Sequence, residues 1–361
     1  MLDNNLNVVD LSDLDADLPL DIVETKQILS LTEDWENSWN KTPLDSLGYP
    51  SIVKNDRGPN PDNKFYLYYA HHDLHSGIGC AVADDILGPY RKIVELDPDR
   101  EDSRILKHRD REVYNHLSSP SVVWNPQAEI WHLYFHTYHN LWESGQGHQQ
   151  TYLATCRDLA THQWDTLTNP DGTWKIVLPV SKENWMNSES SYHNVCVLPP
   201  DGTFLAFLSG GGGKTDEKTG ELVFPAEFGG MGFGTSPDGI EWTYFPENPI
   251  FKSGQAHTDL RQIHSRQNPK VGFIGYLGDG EYLVAWGKID WGTGRKTVED
   301  KQIFYGRTRD FKTIVPDPRG PARWISLDRN DVLSTWREGD QLYLFGGKHI
   351  HIMKLPVKNH S

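Results

Sequence analysis

SSPSVVWNPQAEIWHLYFHTYHN, Ser118–Asn140, followed closely by QQTYLATCRDLATHQWDTL, Gln149–Leu167, is one turn of a repeat. Its hydrophobic runs are short, β-branched and aromatic, and turn residues break them at close intervals, which is the pattern of strands. The same order recurs along the chain at a period of roughly 70 residues, and a fixed period decides an architecture before any residue chemistry is weighed. Upstream it reads YPSIVKND (Tyr49–Asp56), KFYLYYAHH (Lys64–His72), GIGCAVADD (Gly77–Asp85) and GPYRKI (Gly88–Ile93). Downstream it reads SYHNVCVLPPDGTFLAFLSG (Ser191–Gly210) and GGMGFGTSPDGIEWTYF (Gly229–Phe245). A fourth copy is HTDLRQIHSRQNPKVGFIGYLGD (His257–Asp279) with QIFYGRTRDFKTIV (Gln302–Val315). The fifth, DVLSTWREGDQLYLFGG (Asp331–Gly347) with HIHIMKLPV (His349–Val357), is short by one strand.

Each full copy holds four short strands in up-and-down order, the content of one propeller blade, and five blades close a ring. The expected fold is therefore an all-β, five-bladed β-propeller. LDIVETKQILSL, Leu20–Leu31, has the β-branched character to supply the missing outer strand, so the ring is expected to shut by pairing the two ends of the chain. A β-sandwich is the structural rival, but it does not predict a shared unit order. In this reading residues 1–17 are an acidic N-terminal extension and residues 18–361 are the single propeller domain.

Composition agrees. Thirteen Trp, fifteen Tyr and thirteen Phe beside 32 Gly and 22 Pro make a strand-and-turn inventory. A formal charge of -15 argues against nucleic acid, whose binding needs a field of Lys and Arg. No apolar run has the length to span a bilayer, and the acidic start MLDNNLNVVDLSDLDADLPLD is no export signal, so the expectation is a cytoplasmic protein without membrane contact, periplasmic or secreted only if a leader was removed. Cys80, Cys156 and Cys196 stand singly in strand-like runs and read as buried free thiols.

The blade pattern also maps a site. Strands alternate direction, so the start of each innermost strand and the connection between the second and third strands emerge on one face. Blade one sends Tyr49, His71, His72, Asp73 and His75 there, and blade two sends His116, Ser119, His136, His139, Glu143, His148 and Gln150. Blade three adds Glu189, Tyr192 and His193, and blade four adds His257, Asp259 and Arg261. Most of the sixteen histidines fall on this face. GGGGK, Gly210–Lys214, lacks the strand-loop-helix context of a phosphate loop and reads as a rim of the same mouth.

Two chemistries suit such a mouth. Glycoside hydrolysis needs two carboxyl groups, about 5–5.5 Å apart for retention or about 6.5–9.5 Å for inversion, and Glu189, Asp73 and Asp259 are the candidates. β-Elimination from a uronate needs a His or Tyr base with cations around the carboxylate, and His72, His116, His193, Tyr192 and Arg261 would serve. Imidazoles arriving from several blades would also suit a divalent metal ion in the channel, although the residues do not specify its ligands.

With these motifs in place the chain resembles the five-bladed propeller carbohydrate-active enzymes near the family 43 glycoside hydrolases. The likeness runs from about Leu47 to Val357. It rests on GYPSIVKND…KFYLYYAHHDLHSGIGCAVADDILGPYRKI and on SGQAHTDL, which would carry a pocket-axis role onto His257. More narrowly, NHLSSPSVVW…WHLYFHTYHN…QQTYLAT resembles a divergent branch grouped with those hydrolases. The family pattern sets aspartates immediately before the Pro-Ser of blades one and two, where this chain has Tyr49 and Ser119, and its blade-three glutamate has only Glu189 nearby. The resemblance implies a glycosidase acting on an oligo- or polysaccharide, with Glu189 as proton donor and Asp73 or Asp259 as partner carboxylate. In this scheme His72, His116 and His193 assist catalysis, while Tyr49, His71, Ser119, His136, Gln150, Tyr192, His257 and Arg261 bind substrate. A polysaccharide lyase acting on an acidic glycan and a sugar-binding propeller without catalysis are the alternatives.

Overall fold

The structure, a computed structural model, describes residues 2–19, 22–36, 47–71, 76–107, 117–139, 148–180, 184–186, 189–211, 214–215, 218, 222–223, 230–252, 267–290, 302–319, 322–323 and 334–358. It is a five-bladed β-propeller. Two strands, β1 (Val8–Asp10) and β2 (Glu24–Gln27), precede the first blade. Blade one runs outward through β3 (Gly48–Lys54), β4 (Phe65–Ala70), β5 (Ile78–Ala83) and β6 (Arg91–Lys92), with β7 (Arg104–Leu106) also on β5. Blade two is β8 (Leu117–Asn125), β9 (Ile130–His139) and β10 (His148–Cys156), edged by β11 (Asp165–Thr166) and β12 (Ile176–Leu178).

Blade three begins with β13 (Glu189–Val197) and β14 (Phe204–Gly211), and the small hairpin β15 (Lys214–Thr215) and β16 (Leu222–Val223) follows. It ends with β17 (Gly230–Ser236), β18 (Thr243–Tyr244) and β19 (Phe251–Lys252). Blade four is β20 (Gln267–Gly278), β21 (Glu281–Asp290) and β22 (Gln302–Thr308), edged by β23 (Val315–Pro316) and β24 (Ala322–Arg323). Blade five is β25 (Ser334–Glu338), β26 (Gln341–Gly346) and β27 (His349–Lys354), and β2 lies antiparallel to β27 as its outer strand.

Period-2 burial explains why these strands read as unbroken apolar runs rather than alternating ones: both faces of each blade are covered. Along β4, Phe65, Leu67 and Tyr69 enter the core shared with blade five, while Tyr66, Tyr68 and Ala70 enter the core shared with blade two. Along β14, Phe204, Ala206 and Leu208 pack toward blade two, and Leu205 and Phe207 pack toward blade four. Five apolar clusters result, one for each boundary between neighbouring blades. The three thiols, all free and buried, belong to these cores.

The connection from third to fourth strand is a recurring aspartate turn. Asp85, Asp158, Asp238 and Asp310 each take a backbone N–H two residues on, from Leu87, Ala160, Ile240 and Lys312. SPDGIEW and TRDFKT are the fullest copies: Asp238 also accepts from Glu241 N and Ser236 Oγ, and Asp310 from Thr313 N and Thr308 Oγ1. Blade five has no such turn because its fourth strand comes from the other end of the chain.

The segment set apart in the sequence as an extension lies inside the ring. Asn5 exchanges two bonds with the backbone of Lys54 in blade one, at 3.0 and 2.8 Å. Asn7 Nδ2 donates to the carbonyls of Val122 and Val195 in blades two and three, at 2.8 and 2.9 Å. β1 pairs in parallel with Ile274–Tyr276 of blade four, and Asn4 exchanges two bonds with the backbone of Arg337 in blade five. Ten residues therefore touch the innermost strand of every blade. Arg337, 2% exposed, binds both oxygens of Asp13 at 2.7 and 2.9 Å and donates to the Asp10 carbonyl. The chain boundary expected at residue 17 thus falls within packed structure, where Leu11 and Leu18 are core residues.

Deleting residues 1–32 should lower the melting temperature markedly, and an unchanged melting curve would contradict this account of the ring. The hydrogen bonds from Arg337 hold the Asp13 carboxyl below its usual range. A depressed carboxylate contributes stability that is complete above its unfolded value of about 3.9 and is lost as pH falls through the folded value. Asp13→Asn should therefore lower the melting temperature at pH 7, and the deficit should shrink below about pH 4.

Candidate functional site

The face on which the innermost strands of blades one to three begin is built by a repeated break in register. β3, β8 and β13 each slip against their partner near the start of the strand, between Gly48 and Ser51, Ser118 and Ser121, and Ser190 and Tyr192. A bulge of this kind bends the strand and re-aims the extra residue. In blades one and two that residue is Tyr49 or Ser119, with left-handed φ values of 52° and 53°. Both precede a proline and both are 0% exposed.

Just below, a serine ties each bulged strand to its neighbour. Ser51 Oγ accepts from Val122 N at 2.8 Å, Ser121 Oγ from Val195 N at 3.1 Å, and Ser334 Oγ from Ile52 N at 3.0 Å. Asn194 continues the ring to blade four by donating to the Gly272 carbonyl at 2.7 Å. These bonds serve backbone groups that the crowded innermost strands leave outside their own ladders.

Above the stitches, Ser118, His136 and Thr151 form one cross-strand row in blade two. Thr151 Oγ1 donates to the Ser190 carbonyl at 2.7 Å, so the row faces blade three. Among the described residues, Ser118 Oγ, Ser119 Oγ, Ser190 Oγ and Gln149 Oε1 are buried without a hydrogen-bond partner. A buried group left dry costs about 1–3 kcal/mol, so a cluster of them marks a place where ordered water or a ligand hydroxyl is expected. Ser118, Gln149 and Ser190 were not among the sequence candidates.

The sequence candidates divide into three groups. Tyr49, His71, Ser119, His136 and Gln150 are described, and all are buried. Tyr49 joins the apolar cluster of blades three and four, on the far side of the axis from its own blade. Gln150 Oε1 accepts from Val180 N at 3.1 Å, which spends that oxygen on structure. His71 lies 6.2 Å from the ring of Trp35. For Glu189, Tyr192 and His193 the backbone is described: Glu189 pairs with Gln149 and Gly211, Tyr192 with Ser209, and His193 with Leu208. His72, Asp73, His116, His257, Asp259 and Arg261 lie outside the described residues. Among the described residues no three His, Cys, Asp or Glu side chains gather as a metal site.

Two histidines belong to a different category. His132 sits between Asn125 and Tyr134 and stacks on Phe204, and burial lowers its pKa to about 4. His162, at the end of the blade-two aspartate turn, is lowered to about 4 mainly by burial. Both are held neutral, unlike a residue poised to exchange protons near pH 7.

No protein-family model and no curated protein sequence matches the chain. Solved structures do. A protein described as BT0996, in complex with RGII, is 14% identical, with a TM-score of 0.59 over 91% of this chain and 89% of that one. A GH130-family structure, from a group whose description names glycoside hydrolases that target β-1,2 mannosidic linkages in Candida mannan, is 11% identical, with a TM-score of 0.53 over 92% and 94%. A thermostable family-43 glycoside hydrolase is 10% identical, with a TM-score of 0.51 over 85% and 88%. At these identities the likeness establishes the fold: this chain has the five-bladed β-propeller architecture that these glycoside hydrolases share.

Two outcomes test this description. Ser119→Gly should be tolerated or slightly stabilising, because glycine adopts a left-handed φ freely, whereas Ser119→Val should destabilise by about 1–3 kcal/mol. The folded pKa of His132 lies below its unfolded value of about 6.5, so the unfolded chain takes up the proton first as pH drops. Stability should fall from about pH 6.5 toward pH 4, and His132→Gln should flatten that slope in denaturant titrations.

Proposed function

We propose that the chain is a carbohydrate-active enzyme, a glycoside hydrolase that cleaves an oligo- or polysaccharide at the loop-histidine face. The observation that supports this reading is the bulge near the start of each of β3, β8 and β13, the end of the blades to which the reading assigns Tyr49, Ser119 and the Glu189 segment. The glycoside hydrolases among the structural neighbours support the same class. In this reading Glu189 donates a proton to the leaving oxygen, and Asp73 or Asp259 supplies the second carboxylate. His72, His116 and His193 assist proton transfer. Tyr192, His257 and Arg261 bind sugar with the buried Tyr49, His71, Ser119, His136 and Gln150.

One observation favours a second reading. Tyr49 and Ser119 occupy the bulge positions that carry carboxylates in the family-43 pattern, and a lyase acting on an acidic glycan needs a His or Tyr base instead. Assays on a panel of neutral and uronate-containing glycans separate the two. A hydrolase releases new reducing ends only, a lyase also forms an ultraviolet-absorbing double bond, and a binding protein yields neither.

Glu189→Gln should nearly abolish hydrolysis and leave a His-driven elimination largely intact. Replacing His72, His116 or His193 with Ala should reduce turnover by about 10²–10⁴-fold with little loss of stability. Wild-type turnover in all three histidine variants would refute the placement of the site.

A further inference from the structure

We propose that Trp35 is a positioning residue for His71, and that the buried Glu36–Lys92 pair holds it in place, so the segment after β2 is part of the site as well as of the ring. The proposal rests on the reading of His71 as a member of the carbohydrate site.

Leaving β2, the chain packs Ile28 and Leu29 into the core between blades five and one and then forms a short helical turn, Asp34–Glu36. Glu36 is 0% exposed and fully engaged. Its Oε2 accepts from Thr32 N at 2.9 Å, Glu33 N at 3.0 Å and Lys92 Nζ at 2.5 Å, and its Oε1 accepts from the Tyr69 hydroxyl at 3.0 Å. Lys92, also buried, donates to Thr32 Oγ1 at 2.7 Å as well. The cluster therefore ties a backbone turn to two strands of blade one.

Trp35, within that turn, is held by contacts of its own. The indole stacks on Tyr69 with centroids 5.7 Å apart and planes 12° from parallel, and the Arg104 guanidinium lies over it at 5.6 Å. Its Nε1 donates to Glu33 Oε2 at 3.0 Å, and the same oxygen accepts from Ser103 N at 2.8 Å. β5 makes room with Gly79, where a Cβ would lie 2.6 Å from Tyr69 and 2.8 Å from Trp35. The ring so held lies 6.2 Å from His71, tilted by 34°. His71 itself is 1% exposed and is the residue immediately before His72 and Asp73.

Apolar packing alone would fill this corner more cheaply. Burying two charges is costly, and replacing such a pair with apolar residues of similar volume is often neutral or stabilising. What the pair adds is direction: four donors on one carboxylate leave the turn, and hence Trp35, a single arrangement. That is what a residue needs when its neighbour must present an imidazole within a fraction of an ångström.

The test uses the full chain. The double variant Glu36→Leu/Lys92→Met should fold with a melting temperature within a few degrees of wild type. Its kcat on the glycan that the wild type cleaves should fall about 10-fold or more while KM moves little. Trp35→Leu should behave in the same way, and Trp35→Phe should recover much of the loss. Wild-type kcat in the double variant overturns the proposal, and so does a loss that follows melting temperature across the set and disappears on cooling. If the wild type cleaves no glycan, the carbohydrate reading fails, and the positioning is read by NMR alone. The His71 imidazole resonances, assigned with His71→Gln, should shift and broaden in the double variant, which removes no ring near His71. Unchanged, sharp His71 resonances overturn the proposal.

Discussion

A strand that buries both faces needs a neighbour on each side, and a ring is the arrangement that supplies one to every blade. Phe65, Leu67 and Tyr69 require blade five just as Tyr66, Tyr68 and Ala70 require blade two. The order in which the chain is read leaves one boundary, between blades five and one, that no connecting loop enforces. The protein answers with its first 36 residues. β2 completes blade five, Ile28, Leu29 and Trp35 fill the last core, and β1 lies along β20 while Arg337 of β25 reaches it through Asp10 and Asp13. The same segment touches all five innermost strands, so closure is distributed around the axis and does not hang on one ladder.

The two faces of the ring then do different work. On one, short aspartate turns satisfy their own backbone and fix the outer strands. On the other, the innermost strands slip register, and hydroxyls stitch neighbouring strands together just below the slip. Rigid scaffolding beneath irregular connections is the usual setting for binding and chemistry.

The sequence made the repeat, the strand order and the spare N-terminal strand legible because both-sided burial leaves long aromatic and β-branched runs that turn residues punctuate. It hid the channel segment. LDNNLNVVD is polar and acidic, yet Asn4, Asn5 and Asn7 act as side-chain linkers to the backbones of four blades, a use that composition does not distinguish from a solvated tail. Glu36 was hidden for the same reason: in TEDWEN it resembles a surface charge, and only Lys92, fifty-six positions on, makes its burial possible. The candidate face was legible as a direction, since strand alternation sends its residues one way. Their depth was not: Tyr49, Ser119 and His136 are all fully buried, Tyr49 and Ser119 at bulges and Tyr49 within the core of two other blades.

The bulge positions carry the sharpest contrast between fold and chemistry. A left-handed φ on a residue other than glycine costs of order 1 kcal/mol, and the scaffold bears that cost at the same level in two adjacent blades. Glycine would relieve the backbone at both. The chain instead places a tyrosine ring across the axis in one blade and an unpartnered serine hydroxyl in the next. Backbone geometry is thus shared by the two positions while side-chain chemistry differs. A propeller can therefore keep one scaffold at its axis and change what that scaffold presents by altering single residues at the slips.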